Sequence, residues 1–159
     1  MHIRRGLQQD IPGILRLLLQ VGQVHHQIRP DIFPAGTLKY DADALLPILA
    51  DEDRPIFVAV REDTVLGYCF CIRKRFGGRS ATAREELYID DLCVEESCRG
   101  QGIATELYCH AVDYARSLGC HSVTLNVWCG NDTAMAFYNK QGLTPRNITM
   151  EQRLEDPKC

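Results

Sequence analysis

Between residues 94 and 104, a strand-forming segment passes into a helix-forming segment through two closely spaced glycines, in the order Val-Glu-Glu-Ser-Cys-Arg-Gly-Gln-Gly-Ile-Ala. Gly100 and Gly102 have no side chain, so backbone N–H groups at the start of the helix can point outward without obstruction. The first N–H groups of a helix have no partner within it and favour an anion. The segment therefore predicts a strand–turn–helix unit with an anion-binding site at the turn.

Two phosphate-binding motifs have similar glycine spacing, and neither fits. A P-loop requires Lys and then Ser or Thr after its last glycine, whereas Ile103 and Ala104 follow Gly102. A dinucleotide-binding fingerprint requires Gly or Ala three residues after Gly102, where Thr105 stands. That fingerprint also belongs in the first strand–helix unit of a parallel sheet. The turn is assigned to neither class.

Before this turn, the pattern of apolar residues predicts one strand, two helices and three more strands. The first helix begins at Asp10, which we expect to cap it, and fades near Pro30. A shorter helix follows over residues 43–50, despite Pro47 near its middle. The predicted strands are residues 2–5, 56–60, 65–72 and 86–94, with a turn at residues 62–63 and a glycine-containing loop over residues 76–84.

After the turn, residues 103–118 have helical spacing of apolar residues, and Gly119 is placed to end that helix. Residues 123–127 alternate as a half-buried strand that extends towards Trp128. Asn131 is predicted to cap a last helix that Gly142 closes, and residues 144–154 fit a final pair of short strands. The sum predicts an α+β or mixed α/β protein with one central sheet.

Length and composition exclude several classes of protein. A chain of 159 residues, 45% hydrophobic and 25% charged, is predicted to form one compact domain over residues 1–159 that needs no disulfide or metal. The net charge of −3 argues against nucleic acid as a ligand, because such binders neutralise phosphates with Lys and Arg. The apolar runs are too short to span a membrane, so no membrane partner is expected.

The eight cysteines are interpreted as reduced, small core residues. They are too few for a disulfide scaffold, no pair has C-x-x-C spacing, and the N-terminus does not resemble a signal peptide. We therefore expect a cytoplasmic protein without a bound metal.

The glycine turn matches the R/Q-x-x-G-x-G/A signature of the GNAT superfamily of N-acetyltransferases, filled here by Arg99, Gly100, Gln101, Gly102, Ile103 and Ala104. Residues 131–142, reading N-D-T-A-M-A-F-Y-N-K-Q-G, resemble the family's N-x-x-A-x-x-F-Y-x-x-x-G motif. Two motifs in the right order and elements are far more specific than either alone. The resemblance covers residues 56–154, and the first 55 residues only by element order. It implies the GNAT-like acyl-CoA N-acyltransferase fold, with a central, mostly antiparallel, splayed sheet flanked by helices.

The resemblance also implies that acetyl-CoA is the co-substrate. Its pyrophosphate is expected on the backbone amides of Gly100, Gln101, Gly102, Ile103, Ala104 and Thr105, with added charge from Arg99. Its pantetheine arm is expected along the main chain of Leu92, Cys93 and Val94, where that strand splays from the strand of residues 123–128. Asn131 is expected to touch the same arm. Asn131 can equally be a plain helix cap, and both roles can hold.

Acetyl transfer to a primary amine requires removal of a proton, because such an amine is protonated at neutral pH. Asp90 matches the position of an acidic residue in several family members and is the first candidate base, provided that burial or a water relay assists it. Asp91 is expected on the opposite face of the strand, whereas Glu86 lies on the Asp90 face and is the second candidate. Tyr138 matches the family's general acid. The alternatives are a structural or acceptor-binding carboxylate at Asp90 and a core tyrosine at position 138.

The expected reaction is direct attack on the thioester, in a ternary complex, by a primary amine of a small molecule such as an aminoglycoside, a polyamine or an amino-acid derivative. Carboxylates near Asp90 favour a cationic acceptor. The alternatives are a protein acetyltransferase acting on an N-terminus or a lysine, and a non-catalytic acetyl-CoA-binding module. The resemblance implies that His25, His26 and Arg29 border the acceptor pocket, and no catalytic role is assigned to them. Family resemblance further implies a homodimer, with the terminal strands as the candidate interface.

Overall fold

A computed structural model describes residues 1–78 and 81–154 and shows one five-stranded sheet between two layers of helices. The strands are β1 (His2–Arg5), β2 (Ile56–Arg61), β3 (Thr64–Gly78), β4 (Ala81–Val94) and β5 (Ser122–Leu125), which lie in this order across the sheet. The helices are α1 (Ile11–Ile28), α2 (Ala42–Leu49), α3 (Ile103–Ser117) and α4 (Asp132–Lys140). Neighbouring strands are antiparallel except β4 and β5, which are parallel. The predicted α+β class and mostly antiparallel sheet are confirmed.

Each face of the sheet buries its own apolar cluster. On one face, Leu17 of α1 and Leu45 of α2 pack against Val58 and other strand residues, and all three are fully buried. On the other face, Leu107 of α3 packs against Leu87 of β4. Successive side chains of a strand point to opposite faces of the sheet, so β2, β3 and β4 need apolar residues on both faces. The central strands are therefore nearly continuous runs of apolar residues.

The local signals for turns and caps are confirmed where the chain reverses or a helix begins. Glu62 and Asp63 have φ of 47° and 65°, as a two-residue hairpin turn between β2 and β3 requires. The Asn131 side chain accepts a hydrogen bond of 3.2 Å from the Ala134 N–H and so caps α4. Gly119, with φ of 70°, follows the last turn of α3.

Asp10 differs from its predicted role as a cap. Its carboxylate accepts a hydrogen bond of 2.7 Å from the Leu7 N–H and bonds of 2.6 and 2.9 Å from the Arg4 guanidinium, and it makes no side-chain cap to α1. Burial raises the pKa of this carboxyl, but the bonds from Arg4 and Leu7 outweigh burial and lower it below its usual value. Through these bonds Asp10 connects β1 with the start of α1.

The central hairpin is longer than predicted. The loop expected over residues 76–84 is largely strand, because β3 continues to Gly78 and pairs with β4 through Phe76–Arg84 and Gly78–Ala81. Residues 79 and 80 of that expected loop lie outside the described residues. The predicted strand towards Trp128 is shorter than expected, since β5 ends at Leu125.

The final pair of strands predicted over residues 144–154 is wrong, because this segment contains no strand. It is held instead by ion pairs from Arg146 to Glu86, from Glu151 to Arg29 and from Arg153 to Asp31. Within residues 1–78 and 81–154, no helix has the length and apolar character needed to cross a membrane.

Candidate active site

The strands β4 and β5 separate at the middle of β4. Their parallel pairing covers Glu86 to Ile89 on β4 and ends at the Ile89–Leu125 pair, while β4 continues to Val94. The edge of β4 that faces β5 is therefore open over residues 90–94. Backbone N–H and C=O groups along an open edge need partners, and an extended ligand can supply them as an added strand does.

A cavity of about 410 Å³ opens at this separation. Its walls come from α1, from the connection between α1 and α2, from β4, from the chain after β5 and from α4. The polar and aromatic residues on these walls are His25, Phe33, Thr37, Lys39, Tyr88, Asp90, Asp91, Asn126, Trp128, Asn131 and Tyr138. A volume of this size suits a small molecule or the reactive end of a larger one.

A β-bulge in β4 brings two neighbouring carboxylates into this cavity. The pairing with β3 shifts register here, with Phe70 opposite Asp91 and Cys71 opposite Ile89. No residue of β3 therefore lies opposite Asp90. Asp90 and Asp91 consequently both line the cavity. The expectation that Asp91 points to the opposite face is wrong, because the extra residue interrupts the alternation of side chains.

The Asp90 carboxylate forms an ion pair with Lys39, which lies in the connection between α1 and α2. The Lys39 Nζ lies 2.7 Å from Asp90 Oδ2, and the Tyr40 hydroxyl lies 3.4 Å from the same oxygen. Burial alone lowers the pKa of the Lys39 ammonium, but its hydrogen bond to Asp90 and the charges of Asp90 and Asp91 outweigh burial and raise that pKa. Lys39 therefore remains a cation within the cavity at neutral pH.

Asp91 is the second carboxylate of the cavity, and its surroundings raise its pKa. It is partly buried and accepts a hydrogen bond of 2.8 Å from the Tyr68 hydroxyl. Burial raises its pKa to about 6, against the lowering effects of Tyr68 and Lys39 and with a further contribution from the charge of Asp90. A carboxyl with this pKa is ionised at pH 7 yet holds a proton more firmly than an exposed aspartate.

Tyr138 projects from α4 into the same cavity. Its ring packs at 5.0 Å from Phe137 and 6.4 Å from Tyr108, measured between ring centroids. Burial, with added effects from Cys69 and Asp91, raises the pKa of its hydroxyl well above the usual value. The phenol is therefore protonated at neutral pH and can donate a hydrogen bond or a proton.

The glycine turn lies just beyond the open edge of β4 and leads into α3. Gly100 and Gly102 have φ of 77° and 84°, and a Cβ built on either would meet nothing within 4 Å. Gly102 precedes α3 and provides no side-chain cap, so the first N–H groups of α3 have no partner in the helix. These features fit a pyrophosphate, which N–H groups at a helix start bind without side-chain obstruction.

The structure brings some of the predicted site residues together and leaves others apart. Asp90, Leu92, Asn131 and Tyr138 all line the cavity. The turn residues Arg99, Gly100, Gln101, Gly102, Ile103, Ala104 and Thr105 lie outside the cavity lining, beyond the end of β4. The Arg99 Nε lies 3.4 Å from the Val94 carbonyl oxygen, which links the turn to the strand end.

Cys93 and Val94 belong to the open edge only through their main chain, because both side chains are buried. The Cys93 Sγ lies 3.6 Å from the Leu17 carbonyl oxygen, and burial raises the pKa of this thiol to about 12. Their predicted contact with a pantetheine arm remains compatible with this arrangement, since it uses backbone groups alone.

Glu86, the second candidate base, is absent from the cavity lining. It is 2% exposed and paired with Arg146 at 2.7 Å and Arg84 at 3.0 Å. A buried carboxylate with two guanidinium partners has a structural role in this arrangement. Its assignment as a base stays a prediction without support from its position.

The sequence interpretation missed Asp91 and Lys39. A signal for Asp91 was present, because the apolar positions Leu87 and Ile89 have odd numbers whereas Leu92 and Val94 have even ones. This change of phase indicates an extra residue between Ile89 and Leu92. No comparable local signal exists for Lys39, which reaches β4 from 51 positions earlier in the chain.

Aromatic contacts secure the α1–α2 connection over the cavity. Phe33 lies 5.0 Å from His25 and 5.3 Å from Trp128 between ring centroids, and the Arg29 guanidinium lies 5.7 Å from the Trp128 ring. His25 is largely neutral, because burial and the nearby Lys39 lower its pKa. The aromatic rings of His25, Phe33 and Trp128 thus form one continuous part of the cavity wall.

A family model described as the acetyltransferase (GNAT) family matches residues 23–143. Among curated proteins, N-alpha-acetyltransferase 30 of Schizosaccharomyces pombe is 35% identical over 86 residues, which are 54% of this chain and 55% of that protein. The uncharacterized N-acetyltransferase YycN of Bacillus subtilis is 30% identical over 45% of this chain and 46% of its own length. The chain thus spans about half the length of the curated relatives that it matches.

Solved structures share the fold over nearly the whole chain. A mutant of the BH1408 protein from Bacillus halodurans has a TM-score of 0.93 and 29% identity, covering 97% of this chain and 99% of that one. Aminoglycoside N-acetyltransferase AAC(6')-Iy, solved in complex with CoA, has a TM-score of 0.71 and 15% identity, covering 96% and 93% of the two chains. At 15% identity, the second likeness supports the fold alone.

Proposed function

Since this chain belongs to the acetyltransferase (GNAT) family, we propose that it transfers the acetyl group of acetyl-CoA to a primary amine of a small molecule. The amine attacks the thioester directly in a ternary complex. The observation that carries this proposal is the open edge of β4, which borders a cavity containing Asp91 and Tyr138 and ends just before the glycine turn. The cavity, the open edge of β4 and the glycine turn thus follow one another in the order in which the chain passes them between residues 90 and 102.

Three parts of the chain hold acetyl-CoA in this proposal. The N–H groups at residues 100–105 bind the pyrophosphate, the main chain of residues 92–94 pairs with the pantetheine amides, and Asn131 borders the same gap. When bound, acetyl-CoA supplies an acetyl group activated as a thioester. The residues of the cavity then orient the amine and move its proton.

Asp91 is the base in this proposal, and Asp90 binds the acceptor ammonium. With its pKa raised to about 6 by burial, Asp91 is ionised at pH 7 and well matched to take a proton near neutrality. The bond from Tyr68 fixes the orientation of its carboxylate. Asp90, the base predicted from the sequence, already binds one ammonium at 2.7 Å, which is the interaction that a cationic acceptor needs.

Tyr138 supplies the proton that the leaving thiolate needs. Its hydroxyl is protonated at neutral pH because burial raises its pKa. Tyr138 lines the same cavity as Asp91, but it belongs to α4 whereas Asp91 belongs to β4. A phenol can stabilise a thiolate by hydrogen bonding before it transfers the proton. In this proposal the base acts on the amine nitrogen from β4, and the acid acts on the thiolate sulfur from α4.

A small acceptor is favoured by the shape of the site. The cavity has a volume of about 410 Å³ and is lined on one side by Phe33, Thr37 and Lys39 of the α1–α2 connection, and this volume suits a small ligand. A second candidate is a peptide N-terminus, which the similarity to N-alpha-acetyltransferase 30 favours. In either case a positively charged acceptor is favoured, because Asp90 and Asp91 line the cavity.

We also propose that the protein works in the cytoplasm. The seven cysteines within residues 1–78 and 81–154 are free thiols, and reduced thiols are typical of that compartment. Three of them, Cys69, Cys71 and Cys93, are buried as small core residues.

The first experiment measures the melting temperature of the purified protein with and without acetyl-CoA. A ligand present at 100 times its dissociation constant stabilises the folded state by about 2.7 kcal/mol, which corresponds to a rise of several degrees. CoA should give a smaller or similar rise, and AMP almost none. An unchanged melting temperature at millimolar acetyl-CoA would remove the basis of the proposal.

The second experiment measures thiol release with a panel of acceptors. Polyamines, aminoglycosides and amino-acid amides are compared with peptides that have free N-termini, each at the same concentration. A small amine should have the highest kcat/KM. Higher kcat/KM for the peptides would instead establish the N-terminal acetyltransferase candidate.

A further inference from the structure

Lys39 places a primary amine inside the cavity where the acceptor amine is expected. Its Nζ lies 2.7 Å from Asp90 Oδ2 and 3.5 Å from the Asp90 carbonyl oxygen, at the bulge of β4. The side chain is 43% exposed. Of Lys39, Lys74 and Lys140, which are the lysines within the described residues, only Lys39 lines the cavity.

The surroundings of Lys39 are those that an external amine would meet. The titratable groups that face its ammonium are Asp90, Asp91 and Tyr88 from β4, His25 from α1 and Tyr40 from its own connection. Asp90 binds the ammonium, and Asp91 contributes the charge of a second carboxylate. An internal amine at this place has the advantage of position over any free acceptor.

We propose that Lys39 is itself an acetylation site, modified within its own cavity by the acetyl-CoA that the same chain binds. This inference rests on the proposed function, because it uses the same co-substrate and the same carboxylates. It assigns to Lys39 a role as internal acceptor in the absence of an external amine.

The transfer balances without any further reagent. The Lys39 ammonium loses one proton to a cavity carboxylate, and the neutral Nζ attacks the carbonyl carbon of the thioester. A C–N bond forms, the C–S bond breaks with its electron pair on sulfur, and the second proton lost by nitrogen passes to the thiolate. The products are N-acetyl-lysine, CoA as its thiol and one released proton.

The modification changes the charge of the acceptor site. N-acetyl-lysine is neutral, so acetylation removes the cation that now lies on Asp90. Asp90 is then free to bind the ammonium of an external acceptor. The reaction is expected to be slow, because the interactions with Asp90 and Asp91 keep Lys39 protonated and leave little neutral amine.

The test incubates the purified protein with acetyl-CoA that carries a ¹³C-labelled acetyl group, near pH 8, without an acceptor. Peptide mass spectrometry then follows the labelled acetyl group at Lys39 and at Lys140, an exposed lysine at the end of α4 that serves as internal reference. Lys39 should acquire the label at least about tenfold faster than Lys140. Lys39 is held in the cavity beside the proposed thioester, whereas Lys140 must meet acetyl-CoA by diffusion. The fractional rate should not depend on protein concentration.

Two controls separate cavity chemistry from unspecific acetylation. Heat-unfolded protein should label both lysines at similar rates. The Lys39→Arg variant keeps the positive charge, should lose the label at position 39 and should leave the label at Lys140 unchanged. Labelled native protein should also focus at a lower isoelectric point, because one cation has been lost, and this shift does not depend on turnover with an acceptor.

Four results would overturn the inference. Equal labelling of Lys39 and Lys140 in the native protein would show unspecific acetylation alone, and a fractional rate that rises with protein concentration would show transfer between molecules. Thiol release with an external amine but no label on Lys39 would overturn this inference and leave the proposed function standing. Absence of both acetyl-CoA binding and thiol release would overturn the two together.

Discussion

At the scale of single residues, burial of Asp91 suits it to the proposed role of base and lowers the stability of the folded protein at pH 7. Its pKa rises from the ordinary 3.8 to about 6, so between these values the folded protein holds a proton that the unfolded chain releases. Stability therefore falls as the pH rises through this window, and the ionised carboxylate remains unfavourable for folding at pH 7. A base tuned by burial is expected to show this trade-off.

We expect Asp91→Asn to raise stability at pH 7 by about 1 to 2 kcal/mol and to lower kcat/KM by about 100-fold or more. The amide can keep the bond with Tyr68 but cannot accept the amine proton. Chemical denaturation and thiol release measure the two effects. Asp90→Asn is the matched control, because it removes an ion pair with a partly exposed lysine and should not stabilise the protein. Full activity of Asp91→Asn would exclude Asp91 as the base.

The same residue predicts the pH profile of the reaction. Because Asp91 must be ionised to accept a proton, kcat/KM should fall as the pH drops below about 6. The Asp91→Asn variant should lose this inflection, whereas Asp90→Asn should keep one. A wild-type profile without an inflection between pH 5 and 7 would contradict the assignment.

Tyr138 gives a prediction that separates chemistry from binding. We expect Tyr138→Phe to lower kcat by about 10- to 100-fold and to leave acetyl-CoA affinity nearly unchanged, since the ring still packs against Phe137 and Tyr108. Calorimetric titration measures the affinity and initial rates measure kcat. Tyr108→Phe is the control, because Tyr108 does not line the cavity. Equal kcat for Tyr138→Phe and wild type would remove Tyr138 from the mechanism.

At the scale of elements, α3 has a glycine with positive φ at each end, and only one end is predicted to bind a ligand. Gly102 precedes the helix with φ of 84°, and Gly119 follows it with φ of 70°. Neither would bring a Cβ within 4 Å of another atom. A side chain at either position should therefore destabilise the backbone by a similar free energy. Only Gly102 lies beside the proposed pyrophosphate site.

Alanine at either position should destabilise the protein by about 1 kcal/mol, because a side chain disfavours the left-handed conformation. Only Gly102→Ala should also weaken acetyl-CoA binding, by about tenfold or more, since in the proposed complex its methyl group would lie beside the phosphate oxygens at the helix N–H groups. Melting curves and calorimetric titrations of both variants test this difference. Equal affinity in the two variants would place the pyrophosphate away from the turn.

At the scale of the whole molecule, apolar surface collects on the segment that follows α4. Ile148, Met150 and Leu154 are 78%, 85% and 93% exposed. Within the described residues, the outer edge of β5 has no strand beside it. Exposed apolar side chains together with an unpaired strand edge are typical of a surface that another chain covers.

We therefore expect a homodimer of about 36 kDa, twice the 18.0 kDa of one chain, in light scattering after size exclusion. The double variant Ile148→Asp and Met150→Asp should shift the protein towards the monomer. Leu46→Asp on α2, which is also partly exposed, is the control and should remain a dimer. A monomeric wild-type protein at about 100 μM would contradict the expectation.

Several features of this protein followed from the sequence alone because they depend on residues close together in the chain. Two glycines specify the turn before α3, Asn131 caps α4, and Glu62-Asp63 reverses the chain between β2 and β3. Periodicity placed the main helices to within one or two residues, although strand ends were less accurate. The two family motifs lie within these local signals, which is why the family could be identified from them.

The composition of the cavity was decided by the tertiary structure. Asp91 joins Asp90 because of a bulge that exists only in the pairing of β4 with β3, and Lys39 reaches Asp90 across 51 positions of the chain. The extent of β3 and β4 beyond the predicted turn and the early end of β5 likewise depend on which strand lies alongside. Local propensity does not contain this information, because the register of a strand is set by its partner and its packing.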